Sequence, residues 1–213
     1  MSQAEQIKIL EVSIRSERFV DGKKLLVAGD GAGVGVELVI YENIYMPYLT
    51  GAILIQDDNN FYGEIGINGT ERLVVRMQTP GAIEEIEKTF VLSTVQKQIK
   101  VNDQLSQLLF TLTEDHGYFN ELQLINKSYN GTGSEIIQKI LEDNTNKSIK
   151  PDYHLAPAQG KFRYIVPWQS AYQAIHTVLN YMTTDNFLPY FLFSSITSDN
   201  LILTDLESIL KRE

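Results

Sequence analysis

The chain has no cysteine and no long apolar run, and each absence excludes a class of protein. Without cysteine there can be no disulfide, no thiolate zinc site and no cysteine nucleophile. No apolar stretch approaches the roughly 20 residues that a membrane-spanning helix needs. The N-terminal sequence MSQAEQIKIL also lacks the basic and apolar regions of a secretory signal. We therefore expect a protein that folds in the cytoplasm and has no membrane anchor.

Basic residues are scarce as well. The 213 residues include 27 Asp and Glu against 18 Lys and Arg, which gives a formal net charge of −9 at pH 7. Surfaces that grip nucleic acid need clustered positive charge, so we expect no specific nucleic-acid binding. An acidic surface can still line a channel through which nucleic acid passes without adhering. A hydrophobic content of 43% indicates a folded chain, and its length allows one or two domains.

Glycine is concentrated in VAGDGAGVGVELVIYENI (residues 27–44), where four glycines alternate with other residues from Gly29 to Gly35. A dinucleotide site needs the spacing G-x-G-x-x-G at the start of a helix, but Val34 or Val36 stands where the third glycine should be. The sequence that follows is rich in β-branched residues and predicts a strand. The glycines are therefore predicted to be structural, on one face of an extended segment.

Side chains that could perform catalysis are few and scattered. His116, His154 and His176 are not spaced as metal ligands, and His176 lies beside an apolar helical stripe, which favours a structural role. The acidic pairs Asp57–Asp58 and Glu84–Glu85 could in principle serve as glycosidase carboxylates, but adjacent acids in loops are usually solvated. No serine-nucleophile motif is present. We predict a protein that is not an enzyme and has no catalytic, cofactor-binding or metal-binding residues.

The first half of the sequence predicts about six short antiparallel strands that form a small barrel. In IKILEVSI the apolar alternation slips by one residue, which indicates a β-bulge. Pro47 interrupts the run that precedes the strand ending near Asp57, and Pro80 with Gly81 closes a further strand.

After Glu114 the pattern changes to helices followed by a hairpin, which predicts an α+β domain. Thr132 and Glu135 form a capping box before one helix, and Ser170 with Gln173 does the same for a second helix. The apolar faces are expected to comprise Ile136, Ile137, Ile140 and Leu141 in the first helix and Tyr172, Ile175, Leu179 and Met182 in the second. The expected fold class is a β-rich α+β protein, with domains at residues 1–114 and 115–213.

Several motifs, taken in order, resemble the baseplate central hub protein of contractile-tailed, T-even-type phages, a family related to the hub part of the type VI secretion spike. They are YENIYMPYLTGAILIQD, IGINGTERLVVRMQTPG, LSTVQKQ, INKSYNGTGSEIIQKIL, IVPWQSAYQAIHTVLNYM and PYFLFSS. The most specific pieces are the stretch from Pro47 to Asp57, Tyr129 and Gly131 before the capped helix, and Pro167–Trp168 before the second helix. The resemblance covers most of the chain.

The resemblance implies a structural protein without catalytic residues. It implies a homotrimeric ring on the tail axis that adapts the six-fold tail tube to the three-fold central spike and lets DNA pass. The partners would be the central spike protein, tail tube or tube-initiator proteins and the surrounding baseplate wedge proteins. The location would be the tail baseplate of the virion, assembled in the host cytoplasm. The first domain would be a tube-type β-barrel.

The matched positions carry over as structural positions with no cofactor and no metal. Pro47 and Gly51 would shape the turn and the closely packed entry into a strand. Trp168 would anchor the second helix on the sheet. The full set is Pro47, Gly51, Asp57, Pro80, Tyr129, Gly131, Thr132, Pro167, Trp168 and Ser170.

Two points stay open at this stage. Family hubs continue into a second tube-type domain, so the 115–213 domain is expected to be incomplete without a C-terminal continuation or a second polypeptide. The competing function is a monomeric ligand- or carbohydrate-binding β-module of a tail tip, because YIVPW and FLPYFLF are rich in aromatic residues that could stack on sugars. Buried strand aromatics explain these stretches more simply.

Overall fold

The computed structural model describes residues 8–16, 25–29, 36–57, 69–78, 85–100, 106–145, 147–149 and 160–211. The chain divides into two compact units. The first unit comprises Met1–Tyr41 and Leu49–Asp115, and the second comprises Glu42–Tyr48 and His116–Glu213.

The described residues of the first unit form a seven-stranded antiparallel sheet. Its strands are β1 (Lys8–Arg15), β2 (Leu25–Gly29), β3 (Val36–Tyr41), β4 (Thr50–Asp57), β5 (Arg72–Gln78), β6 (Glu85–Lys100) and β7 (Ser106–Glu114). They lie in the order β2-β1-β5-β6-β7-β4-β3, and the sheet curls into a half-barrel. The expected β-rich α+β fold class, with an antiparallel β domain first, is confirmed.

Buried apolar side chains alternate with partly exposed side chains along the strands, and the buried ones form the core of this sheet. In β7, Leu108, Phe110 and Leu112 are buried, whereas the residues between them are partly exposed. The predicted bulge in β1 is also present, because the register with β5 shifts between Ile9 and Glu11. A bulge moves the side chains that follow it to the other face, which restores the apolar face of the strand.

A buried ion pair lies in the same sheet. The Nζ atom of Lys88 in β6 lies 3.8 Å from Oε1 of Glu114 in β7, and each side chain is only 2% exposed. The second carboxylate oxygen of Glu114 accepts the backbone N–H of Leu49 at 2.9 Å. Such pairs are expensive to desolvate, so the loss of one partner is strongly destabilising.

The described residues of the second unit form four helices and two two-stranded sheets. In chain order its elements are α1 (Asp115–Asn120), β8 (Ser128–Gly131), α2 (Gly133–Asn144), β9 (Phe162–Ile165), α3 (Ala171–Tyr181), β10 (Tyr190–Phe193), β11 (Ile202–Asp205) and α4 (Leu206–Lys211). Strand β8 pairs with β9 and β10 with β11, both antiparallel. The predicted hairpin near residue 198 is therefore confirmed.

Both predicted helices begin at their expected caps. The Oγ1 atom of Thr132 accepts the N–H of Glu135 at 3.3 Å, and the Glu135 carboxylate accepts the N–H of Thr132 at 2.9 Å. At α3, the N–H of Ser170 donates to Oε1 of Gln173 at 3.3 Å. These bonds satisfy N–H groups that the first helical turn leaves unpaired.

The core of the second unit lies between α2, α3 and the short strands. The predicted face of α2 is buried, and α3 buries Tyr172, Ile175 and Met182 as expected. Ala174 and Val178 of α3 are buried as well, although the sequence pattern did not mark them. Leu179 is only partly buried. The buried face of α3 is therefore rotated slightly about the helix axis from the predicted face.

Several sequence expectations concern residues outside the described part of the chain. These are the glycines at 31, 33 and 35, the acidic residues Asp58 and Glu84, the turn at Pro80–Gly81, and His154.

Candidate interaction surfaces

The segment Glu42–Tyr48 follows β3 in sequence but belongs to the second unit. Its first residue is held by two hydrogen bonds. One carboxylate oxygen of Glu42 accepts the Ser195 hydroxyl at 3.2 Å and the backbone N–H of Ile196 at 3.0 Å. An acceptor shared by two donors fixes the start of the segment against the residues that follow β10.

The other end of the segment is fixed by packing. The Tyr48 ring lies 6.0 Å from the Tyr172 ring of α3, centroid to centroid, with the planes tilted by 42°. It also lies against Gly117 of α1, where an added Cβ would come within 2.4 Å of Tyr48 Cγ. A glycine at 117 is therefore required for this contact.

A buried polar network supports the start of α3. The Nδ1 atom of His116 lies 2.5 Å from the Tyr172 hydroxyl. The Asn120 side chain accepts the N–H of Tyr172 at 2.9 Å and donates to Ser170 Oγ at 3.2 Å. This network gives His116 the structural role that the sequence analysis expected of His176. His176 is instead exposed on α3.

Two adjacent cavities beside α3, which we call the α3 groove, lie within the second unit. The first has a volume of about 470 Å³ and the second about 410 Å³. Tyr45, His176, Leu179 and Leu192 line both cavities, so the two cavities are direct neighbours. Cavities of this size and apolar character accommodate small molecules or the anchoring side chains of a partner protein.

One end of the α3 groove carries a negatively charged side chain. Glu121 lines the first cavity, and neither cavity has Lys or Arg among its described lining residues. The pKa of Tyr48 is raised above its ordinary value, first by burial and then by the negative charge of Glu121. In the second cavity, burial and the carboxylates of Asp205 and Asp185 raise the pKa of Tyr190 to about 12. Both phenols therefore remain neutral at physiological pH.

Two exposed aromatic residues have an unusual backbone conformation. Trp168 has φ of 51° and Phe187 has φ of 59°, and their side chains are 67% and 79% exposed. Phe187 is held in a turn by its own N–H, which donates to Thr184 O at 2.9 Å. The expected anchoring role of Trp168 stays a prediction, and about two-thirds of its side chain is exposed.

Three further exposed side chains are aliphatic, namely Leu122, Leu124 and Ile165, and we call them together the aliphatic face. Their side chains are 65%, 59% and 61% exposed. Backbone hydrogen bonds of 2.8 and 2.9 Å join segment 122–127 to segment 165–169, so these side chains lie on two paired segments. Exposed apolar surface marks an interaction site where it is contiguous, so the aliphatic face is a candidate surface for contact with another subunit.

The remaining motif positions are distributed over both units. Gly51 of β4 lies against the neighbouring strand, where an added Cβ would come within 2.4 Å of Val39 O. Pro47 lines the α3 groove, and Tyr129 is buried in β8. Gly131 ends β8 with φ of 151°, Pro167 is exposed, and Asp57 ends β4. Pro80 lies outside the described residues.

Among the described residues, no group of three or more His, Asp or Glu side chains is placed to hold a metal ion. No helix in the described part of the chain is long and apolar enough to cross a membrane. The described residues of the second unit offer two candidate binding surfaces, an apolar groove with a carboxylate at one end and the aliphatic face. Sequence patterns gave no signal for the groove, because it joins residues near 45 to residues near 121, 176 and 190.

No protein-family model and no curated protein matches the sequence. Among solved structures, the 43 kDa tail protein of prophage MuSo2 from Shewanella oneidensis is 13% identical, with a TM-score of 0.49 over 91% of this chain and 53% of that one. The Francisella PdpA-VgrG complex in its half-lidded form is 10% identical, with a TM-score of 0.48 over 95% of this chain and 31% of that one.

A third similar structure is an E. coli component of the type VI secretion system, described as structurally similar to T4 bacteriophage tail proteins. It is 8% identical, with a TM-score of 0.44 over 96% of this chain and 47% of that one. The chain spans 31% to 53% of the length of these three solved chains. Of these three structures, one is thus a prophage tail protein and one a component of type VI secretion.

Proposed function

We propose that this chain is a structural protein of a phage tail baseplate, in which three copies form a central hub ring on the tail axis. The ring adapts the six-fold tail tube to the three-fold central spike and lets DNA pass. Its neighbours are the spike protein, tail tube or tube-initiator proteins and baseplate wedge proteins. The ordered sequence motifs support this proposal, and so does a first domain built from seven antiparallel strands.

The aliphatic face is the observation that carries the assembly part of the proposal. Leu122, Leu124 and Ile165 are each more than half exposed. Covering each of them with a neighbouring copy would contribute about 1–2 kcal/mol to association. A cyclic trimer needs such a contact three times, once at each boundary between copies.

The net negative charge of the chain supports the proposed passage of DNA through the ring. A net charge of −9 disfavours adhesion of a polyanion, because a bore with acidic walls repels phosphate groups. We expect no retention of duplex DNA on a filter at moderate salt. Tight binding under those conditions, or a bore lined by Lys and Arg, would contradict this part of the proposal.

Light scattering of the purified protein tests the assembly. The wild type should have about three times the 24.2 kDa mass of one chain. Leu124→Glu places a charge in the aliphatic face and should release single chains, because burial of an unpaired carboxylate is unfavourable. Leu210→Glu is the matched control, since Leu210 is 74% exposed on α4, outside the aliphatic face, and the mass should not change.

The second candidate function is a monomeric ligand- or carbohydrate-binding module of a tail tip. The α3 groove and the exposed aromatic residues Tyr45 and Phe187 favour it, because exposed rings can stack on sugars. This candidate predicts a wild-type mass of one chain and no effect of Leu124→Glu on that mass.

A further inference from the structure

Of the two strained aromatic residues, Phe187 lines the α3 groove. Phe187 lines the second cavity, and Trp168 directly precedes Gln169, which lines the first. Among the described residues they are the ones other than glycine that have positive φ. A bulky side chain is strained in that region, and strain of this kind is usually found where it serves binding or catalysis. Burial of the rings does not offset the free-energy cost of this backbone strain, because both rings are mostly exposed.

The groove offers two apolar compartments side by side. Leu179 and Leu192 contribute to both, and the Tyr45 ring stands over the Phe191 ring in an edge-on contact at 5.6 Å. Tyr45 itself is 72% exposed. A short segment of another protein could therefore place one apolar side chain in each compartment, with aromatic rings on the rim to cover them.

The charge of the groove indicates which sign of charge a bound partner segment should carry. Glu121 lines the first cavity, and its carboxylate accepts a hydrogen bond from the Asn120 side chain at 3.0 Å. No Lys or Arg is found among the described lining residues. A cationic side chain in this cavity would meet the Glu121 carboxylate beside the aromatic residues Tyr48 and Tyr172, which line the same cavity.

From these three observations we infer that the α3 groove docks a segment of a partner protein with one Lys or Arg beside two apolar side chains. The basic residue lies at Glu121, and the apolar residues fill the two cavities beneath Tyr45 and Phe187. This docking site goes beyond the proposed hub function, and it does not depend on the trimer, because both cavities lie within one copy.

A protein segment fits the polar groups of the groove better than an oligosaccharide does. Sugars need many available donors and acceptors, whereas several polar atoms here are already engaged. Gln173 Oε1 accepts the N–H of Ser170, and the Thr177 hydroxyl donates to the backbone of Gln173. The concave apolar surface suits side chains of a protein.

Selection from a displayed library of random peptides on the immobilised full chain tests this inference. The enriched peptides should share a Lys or Arg next to apolar residues. A synthetic peptide of the enriched sequence should bind at least about tenfold more weakly to Phe187→Gly and to Glu121→Lys. Tyr181→Ala removes an exposed ring that lines neither cavity, and binding to this control should be unchanged.

A thermal melt separates binding from folding. Phe187→Gly should melt at the same temperature as the wild type or higher, because glycine relieves the strain at positive φ. Selection on Glu121→Lys should enrich peptides with Asp or Glu in place of the basic residue.

Three outcomes would overturn the inference. They are enrichment of the same peptides by wild type and Phe187→Gly, enriched peptides without a basic residue, and binding of chitin oligosaccharides that is lost in Phe187→Gly. The last result would assign the groove to carbohydrate. None of these outcomes affects the mass of the assembly, so failure here and failure of the proposed trimer are distinguishable.

Discussion

Gly117 and Tyr48 pack so closely that residue 117 has no room for a side chain. A Cβ at Gly117 would lie 2.4 Å from Cγ and 2.8 Å from Cβ of Tyr48. Tyr48 in turn contacts the Tyr172 ring of α3 and lines the α3 groove. A glycine in a short helix thus sets the position of a groove wall that comes from a distant part of the sequence.

Gly117→Ala should destabilise the second unit. The added methyl group overlaps the Tyr48 ring, and overpacking of this kind typically costs about 1–3 kcal/mol. Urea unfolding followed by fluorescence should report a lower free energy of unfolding for the variant.

A double-mutant cycle is the control for this contact. In a Tyr48→Ala background the methyl group has space, and alanine is favoured over glycine in a helix by roughly 0.5–1 kcal/mol. Gly117→Ala should there be neutral or stabilising. An equal cost in both backgrounds would show that Tyr48 does not cause the effect.

Removal of the buried Glu114 carboxylate in the first unit should lower the free energy of unfolding more than Gly117→Ala does. Glu114→Ala eliminates the ion pair with Lys88 and the acceptor for the Leu49 N–H, so we expect a loss of about 3–5 kcal/mol in the free energy of unfolding.

Glu87→Ala is the matched control for the buried pair. Glu87 pairs with Arg15 at 3.4 Å, but both side chains are more than two-fifths exposed, and exposed pairs contribute about 0–1 kcal/mol. Similar losses for Glu87→Ala and Glu114→Ala in urea unfolding would contradict the burial of the Lys88–Glu114 pair.

The cap of α2 should make stability depend on pH. The pKa of Glu135 is lowered from its ordinary 4.5, first by the hydrogen bond from the Thr132 N–H and then by Lys161 and Lys139. A lowered folded-state pKa stabilises the fold above the ordinary value, and that contribution is lost as pH falls through the folded-state pKa. The wild type should therefore exceed Glu135→Gln in stability above about pH 5 and approach it in more acidic solution.

Unfolding in urea at several pH values measures this difference. Glu142→Gln removes a carboxylate from the same helix, far from its cap, and should have the smaller effect above about pH 5. A difference between wild type and Glu135→Gln that grows as pH falls would have the wrong sign for this account.

Local features of the fold could be predicted from the sequence. The capping boxes at Thr132 and Ser170 predicted where two helices begin, because a cap depends on residues only three positions apart. The bulge in β1 could be predicted from the slip in its apolar alternation. The hairpin of β10 and β11 could be predicted from two apolar runs around a polar turn.

Features that depend on distant residues could not be predicted. The α3 groove requires the segment Glu42–Tyr48 to join the second unit, and periodicity carries no information about such a placement. The burial of Lys88 depends on a partner in another strand. The positive φ of Trp168 and Phe187 is unusual for aromatic residues, so their exposed positions contradict the ordinary expectation that large aromatics are buried.

Crosslinking of purified tail particles tests the central claim, that the chain is a trimeric hub subunit, most directly. Because the chain has no cysteine, a single Ile165→Cys substitution provides a unique attachment point on the aliphatic face. A short photoactivatable crosslinker on that cysteine should join three copies of the chain, and lysine crosslinkers should connect the chain to spike and tube proteins. Particles without the chain, or with copies that crosslink to neither each other nor those proteins, would contradict the account.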